Sequence, residues 1–302
     1  MARPDWMSPT IDVLKDFRTL PYQGSDTSAV NLFLLRRKYK LEIAVCDGVL
    51  FRYYHGKSDN RRGYGFPLSA GEFDAGKVFA MIEEDAKERG ELRFCLCDEG
   101  QKEIVSDHFD IKWQCEPGDN DYIYEGAKWI DLAGRKYHRL KHRLNSFART
   151  YPDAQYHPID SSARLQDALE VARIWQLEHE DKDMPDKDLI EEMNCILEAC
   201  RYWNELGFTG GVLYVDDTPV AATMAAPLGT DSIDFHFDKA ISPYAAAGAT
   251  VVSRSRFAAS GIDMGRQYYN LEEDMNIPGL RQSKESYRPL LKYPKYYGRV
   301  SL

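Results

Sequence analysis

The sequence predicts an α+β protein, mixed α/β in the order of its elements and built from two units of one design. Two alternations of apolar and polar residues each break at an Asp-containing turn, in "YKLEIAVCDGVLFRYYHG" and in "GVLYVDDTPVAATMAAPLG". Each hairpin is followed by the same run of strand, helix, strand, helix, strand, and each is preceded by helical sequence. A length of 302 residues fits two units of roughly 150 residues, with the boundary expected at residues 1–155 and 156–302.

Taken in order, Leu41, Ile43 and Val45 alternate into the turn at Asp47-Gly48, and Val49, Phe51 and Tyr53 lead out of it. "GYGFPLS" reads as a short strand, "AGKVFAMIEEDAKERG" as a helix, "LRFCLCDE" as a strand, "GQKEIVSDHF" as a short helix and "IKWQCEPGDNDYIYE" as a strand. The second unit opens with helical sequence in "ARLQDALEVARIWQLEHE" and "KDLIEEMNCILEACRYWNELG", then turns its hairpin at Asp216-Asp217. It continues with strand "SIDFHFDKAI", helix "AGATVVSRSRFAASG", strand "YYNLEED", helix "PGLRQSKESY" and strand "LLKYPKYY". Helices ahead of a mostly antiparallel sheet with one strand-helix-strand crossover resemble the GNAT acyltransferase fold, here in tandem.

Composition removes several classes of function. No basic cluster precedes an apolar run near the start, and no stretch approaches the ~20 apolar residues that cross a bilayer, so a cytoplasmic protein without integral membrane association is expected. Cys46, Cys95, Cys97, Cys115, Cys195 and Cys200 form neither a CxxC pair nor a disulfide framework and read as reduced core thiols. His138 and His142 stand four residues apart, but no HExxH or neighbouring Cys completes them, and no metal is expected. The absence of a P-loop, a GxSxG elbow and a GxGxxG loop argues against nucleotide hydrolysis, serine hydrolase chemistry and Rossmann-type dinucleotide binding. Basic and acidic residues balance up to Gln155, and nearly all of the net charge of −9 falls in the remainder. The acidic run between Glu178 and Glu192 reads as a solvated helix face and loop.

Candidate site residues come from three places. Strand alternation puts Asp234, His236 and Asp238 on one face of "SIDFHFD", and Asn270, Glu272 and Asp274 on one face of "YYNLEED". If the two strands are neighbours, their carboxyls line a cleft suited to a cationic group; otherwise they form surface ion pairs. Small residues in "SPYAAAGAT" open a helix at Gly248, Ala249 and Thr250, half of the loop with which coenzyme-A-using GNAT proteins hold pyrophosphate, and equally a tight packing site. Arg281, Lys284 and Arg288 form a cationic stripe on the following helix, to pair with the acidic strand or with phosphate. Finally, "GRKYHRLKHRLNSFARTY" carries six Lys/Arg and no carboxylate. Tyr137, Leu140, Leu144, Phe147 and Ala148 give it an apolar stripe, and Arg139 and Arg143 are its expected contacts to nucleic acid, with docking on the acidic second unit or anionic lipid as the other two readings.

From Asp121 onward the chain resembles the phosphatidylglycerol lysyltransferase C-terminal domain family, tandem GNAT-like proteins, some soluble and of unassigned role. The resemblance rests on "DYIY", on "LAGRKYHRLKHRLNSFARTYP" with Leu132, Gly134, Lys136, Asn145, Phe147, Tyr151 and Pro152, and on "NLEEDMNIPGLRQSKESYRP" with Asn270, Asp274, Gly279, Leu280, Lys284, Tyr287 and Pro289. It implies transfer of an aminoacyl group from aminoacyl-tRNA to a lipid, peptide or small-molecule acceptor, without a resident cofactor. In that scheme Asp274 or Glu272 holds the ammonium or accepts a proton. Lys284 or Arg288 offsets charge on the carbonyl or leaving oxygen, and Asp234, His236, Asp238, Asn270 and Tyr287 contact substrate. The alternatives are an N-acyltransferase using acyl coenzyme A held at Gly248, and a GNAT-like binding protein without catalysis.

Overall fold

The computed structural model describes residues 4–180 and 186–300. In chain order, β1 (Glu42–Cys46), β2 (Val49–His55), β3 (Arg62–Leu68), β4 (Arg93–Cys97), β5 (Ile111–Cys115), β6 (Asp121–Glu125) and β7 (Gln155–Pro158) precede β8 (Thr209–Val215). Then follow β9 (Thr218–Leu228), β10 (Ser232–Ala240), β11 (Tyr268–Asn270), β12 (Leu291–Tyr293) and β13 (Tyr296–Val300). Both hairpins form as read: Asp47, Gly48, Asp216 and Asp217 all have positive φ, which the tight turn between right-twisted strands requires. Helix Ala75–Arg89 carries the chain from β3 to the parallel β4, capped by the Asp74 carboxylate at one end and by left-handed Gly90 at the other. Helix Ala249–Ala259 does the same between β10 and the parallel β11. The result is the tandem GNAT-like α+β architecture: two mixed sheets with flanking helices.

The sheets exchange strands. One runs β1-β2-β3-β4-β13-β5 and the other β12-β6-β11-β10-β9-β8-β7. Residues 111–125, read from the sequence as one strand, are two, because Pro117-Gly118 forms a turn that sends β6 into the second sheet. Residues 290–297 are likewise two strands, interrupted at Pro294, with β13 returning to the first sheet. Each sheet therefore includes a strand from the far side of residue 155.

Three clusters of buried apolar residues follow. Phe79, Ile82 and Phe94 sit between the first sheet and its crossover helix. Trp129, Phe235, Phe257 and Tyr269 fill the corresponding space on the second sheet. The third joins the units, packing Leu32 and Leu34 of helix Ala29–Leu34 with Ile196, Ala199 and Met224. At roughly 1.5–3 kcal/mol for each large apolar side chain removed from water, that third cluster makes the junction a core rather than a hinge. The six cysteines are unbridged, and Cys115 is exposed rather than in the core.

Candidate functional site

β10 and β11 pair only from Ser232 and Tyr268 to Asp234 and Asn270; β10 then runs on to Ala240 while the other chain departs. Beside this parting lies a cavity of about 450 Å³. It is walled by Asn31, Lys38 and Tyr39 of the first unit, by Asp188, Glu191 and Glu192 of helix Asp186–Arg201, and by His236, Glu272 and Glu273. The acidic run is thus not a solvated face: Asp188, Glu191, Glu192 and Cys195 fall one helical turn apart and line the cavity. Residues 181–185 of that run lie outside the described residues.

Asn31 organises the cavity floor. Its amide nitrogen donates to Glu272 Oε1 at 2.9 Å, to Asp234 Oδ2 at 3.1 Å and to the Ser25 carbonyl at 3.1 Å. Its oxygen accepts from His236 Nδ1 at 3.1 Å, a pairing that fixes the Nδ1–H tautomer. The His236 side chain is only 2% exposed, and among the described residues its Nε2 has no hydrogen-bond partner. Asp234 is fully buried with one oxygen unpartnered. Burial, followed by the nearby Glu272 and Asp121, pushes its carboxyl well above the usual range. Glu272 adopts φ of 57°, a left-handed conformation uncommon for a residue with a side chain and typical of functional loops. Ligand atoms of Asp234, His236 and Glu272 lie within 4.8 Å of one another, the grouping of a metal site, but the Asn31 amide already donates to both carboxylates.

Behind the floor, a buried ionic network ties the units together. Lys295, on the crossing between β12 and β13, reaches Asp26 at 2.5 Å, Asp121 at 2.6 Å and Glu273 at 3.5 Å. Arg61 reaches Glu273 at 3.1 Å. Burial would raise the Glu273 carboxyl, but Lys295 and Arg61 outweigh it and hold it well below the usual range. Asn270 belongs to this network, donating to Asp121 Oδ2 at 2.9 Å while its own oxygen accepts from the Glu272 backbone.

Several expected partners stand elsewhere. Register slips between Phe235 and Phe237, so His236 forms a β-bulge. Alternation therefore inverts: Asp234 and His236 both turn to Asn31, and His236 lines the cavity, whereas Asp238 faces helix Ala249–Ala259 and accepts from Arg254 Nε at 2.5 Å and Thr223 at 3.0 Å. β11 ends at Asn270, and Asp274 turns away from Glu272 to accept from the Tyr122 hydroxyl, the Asn276 backbone N–H and Nε and Nη2 of Arg281. Lys284 is buried and donates to the carbonyls of Leu271, Glu272 and Glu273, so it shapes the loop that carries Glu272. Arg288 lies past the end of helix Pro278–Ser286 and does not continue its stripe.

Arg288 instead joins a second feature, a groove of about 1280 Å³ lined by Arg135, Lys136, Arg139, Arg143, Thr250 and Tyr287 among others. Helix His138–Thr150 forms one wall; Leu140 and Phe147 are buried on its inner face, whereas Ala148 is exposed rather than part of that stripe. Arg143 donates to the Ala245 carbonyl at 3.1 Å. Among the described residues no ion pair joins Arg135, Lys136, Arg139 or Arg143 to a carboxylate, so docking on acidic residues is not what these cations do. Gly248 has φ of 115°, and a Cβ there would stand 3.3 Å from the Arg143 carbonyl. Its N–H donates to Tyr244 and Ala245, Ala249 is fully buried, and Thr250 faces the groove.

Residues 17–298 match the family model described as phosphatidylglycerol lysyltransferase, C-terminal. The chain belongs to this family. The match reaches further toward the N-terminus than the motifs from Asp121 onward. The family is one of transferases, as expected for an acyl- or aminoacyltransferase. No protein of curated function matches the sequence. A conserved protein of unknown function from Bacteroides thetaiotaomicron superposes with a TM-score of 0.85 at 25% identity, covering 99% of this chain and 100% of that one. The L-PGS of Bacillus licheniformis gives 0.65 at 14% identity over 97% of this chain and 92% of that one. FemX gives 0.64 at 7% identity over 97% and 96%. At the last two identities the likeness is one of fold. Among the described residues no helix is long and apolar enough to cross a membrane.

Asn31, on helix Ala29–Leu34, and Lys38 and Tyr39, in the turns after it, escaped sequence reading because this segment carries no motif and its neighbours in space are far along the chain, 205 residues for the Asn31–His236 bond. The Asp188, Glu191, Glu192 spacing was a readable signal, since it marks a single helix face.

Proposed function

We propose that the chain transfers an aminoacyl group from aminoacyl-tRNA to a hydroxyl or amine of a lipid, peptide or small-molecule acceptor. The observation that carries this reading is the unpartnered, buried Nε2 of His236 on the wall of a cavity lined by five carboxylates, Asp188, Glu191, Glu192, Glu272 and Glu273. Such a wall suits an ammonium group, and an imidazole held by a third group in one tautomer suits proton transfer. Glu272 receives the aminoacyl ammonium. The acceptor attacks the ester carbonyl carbon, its proton passes to His236 Nε2, and the carbon–oxygen bond to the ribose breaks as that proton is returned to the leaving oxygen. Membership in a family named for lysyl transfer to phosphatidylglycerol supports the reaction class. The unpaired cations of the groove support a phosphate-rich donor.

The test is transfer of labelled amino acid from charged tRNA to phosphatidylglycerol vesicles and to an amine-bearing peptide. Transfer is expected to one acceptor class, falling by about 10²–10⁴ in kcat/KM for His236→Ala. Turnover with acyl coenzyme A and none with aminoacyl-tRNA would overturn the reading in favour of an acyl-CoA enzyme. Coenzyme A and charged tRNA both binding without turnover would favour a binding protein.

A further inference from the structure

The cavity beside β10 and β11 is charged almost wholly one way. Asp188, Glu191, Glu192, Glu272 and Glu273 line it, and Lys38 is the single cation among its lining residues. Two of the five carboxylates have firm partners outside the cavity lining: Glu192 pairs with Lys239 at 2.7 Å, and Glu273 with Arg61 at 3.1 Å and Lys295 at 3.5 Å. Glu191 has the exposed Lys187 at 3.7 Å, and among the described residues no lysine or arginine pairs with Asp188 or Glu272. The cations of the basic groove line a separate cavity that shares no residue with this one.

Hydrogen-bonding capacity points the same way. His236 gives its Nδ1 proton to Asn31, so its buried and unpartnered Nε2 is left as an acceptor. The Asn31 amide is engaged by Glu272, Asp234 and Ser25, and the Cys195 thiol by the Leu34 carbonyl. Among the lining side chains, donors remain on Lys38 and Tyr39 alone. A ligand that fills this cavity must therefore donate, and an ammonium does so while bringing the missing charge. Lys38 is already such a group: burial opposes its charge, but Tyr39, Glu273, Asp188 and Glu191 outweigh it and hold its ammonium above the ordinary lysine value. An anionic headgroup meets the opposite field. In a glycerophospholipid the phosphodiester lies only a few bonds from the headgroup hydroxyls, so a hydroxyl at His236 would draw the phosphate among the carboxylates, with Lys38 alone to pair with it.

We infer that the acceptor is a cationic, amine-bearing molecule whose ammonium is held by Asp188 and Glu191, and not an anionic glycerophospholipid. That ammonium stays protonated and orients the molecule, leaving a separate hydroxyl or neutral amine to attack. Calling this ligand the acceptor rests on the transfer reading above. The amine site itself does not.

The test titrates the intact protein by calorimetry with putrescine and with glycerol phosphate, and repeats the transfer assay with the amine-bearing peptide and with phosphatidylglycerol vesicles. The double variant Asp188→Asn/Glu191→Gln breaks one exposed pair at most, so it is expected to melt like the parent. It should bind putrescine about tenfold more weakly, the effect of weakening hydrogen bonds to a charged group, and the parent should not bind glycerol phosphate. Putrescine binding that the double variant weakens, without transfer from aminoacyl-tRNA to any acceptor, would keep the amine site and remove the transfer reading. Transfer to phosphatidylglycerol in preference to the peptide would overturn the inference and keep the transfer reading. The inference is also overturned if the parent does not bind putrescine, if the double variant binds it unchanged, or if that variant's transfer defect appears with a dicationic donor amino acid and not with one of uncharged side chain.

Discussion

Lys295→Met tests whether the buried network holds the two units together. Lys295 is 3% exposed, and its ammonium serves Asp26, Asp121 and Glu273 as well as Ser25 Oγ at 3.0 Å. Methionine keeps the length and removes the charge, leaving three carboxylates of which Glu273 keeps its ion pair with Arg61. Removing one partner of a buried pair costs about 3–5 kcal/mol, against total stabilities of about 5–15 kcal/mol. At roughly 2–4 °C per kcal/mol the melting temperature falls by roughly 6–20 °C. The deficit also depends on pH. Lys295 is held above the ordinary lysine value: burial opposes its charge, but Asp121, Asp26 and Glu273 outweigh it. Its contribution is therefore complete below that ordinary value and lost only as pH rises through the raised one. Asp121 is already raised by burial, and without Lys295 it rises further. A carboxyl raised in the folded state favours folding as pH falls, so the variant's deficit shrinks as pH falls through the raised Asp121 value. Urea unfolding at several pH values measures this. A deficit below about 1 kcal/mol, or one independent of pH, refutes the reasoning.

Four further outcomes are expected. Residues 156–302 expressed alone lack β6, which lies between β11 and β12, and circular dichroism should show no cooperative unfolding; a folded fragment would mean that the exchanged strand is dispensable. Gly248→Val places a branched side chain at a left-handed φ and 3.3 Å from a carbonyl oxygen, costing about 1–3 kcal/mol in chemical denaturation, and an unchanged midpoint would refute the close approach. Burial raises the Asp274 carboxyl, but hydrogen bonds from Arg281, Tyr122 and Asn276 hold it below the usual range, so its stabilisation is present above the unfolded value of about 3.9 and lost as pH falls through the folded one; Asp274→Asn should lose most at neutral pH and progressively less as pH falls through the folded value. Arg139→Ala breaks no ion pair, so melting should move by less than about 0.5 kcal/mol, while the log–log salt slope of RNA binding should flatten by about one; an unchanged slope would remove Arg139 from the phosphate contacts.

Local patterns determined the elements. The Asp-Gly and Asp-Asp turns, the alternation around them and the two crossover helices depend on residues within a few positions of each other, so both hairpins, both parallel pairs and the tandem design were legible in the sequence. The two carboxyl-bearing strands, whose adjacency the sequence left open, do pair in parallel. What alternation misjudged was decided by tertiary structure. A bulge at His236 sent Asp238 to the other face, and the early end of β11 freed Asp274 to follow Tyr122. Strand period is fixed by the backbone only while the ladder is regular, and regularity is set by the neighbouring strand. The exchange of β6 and β13 and the junction that places Asn31 beside His236 join residues more than 30 positions apart. No period in the sequence records such contacts, because they arise when whole faces are buried against each other, and only the packed chain decides which faces meet.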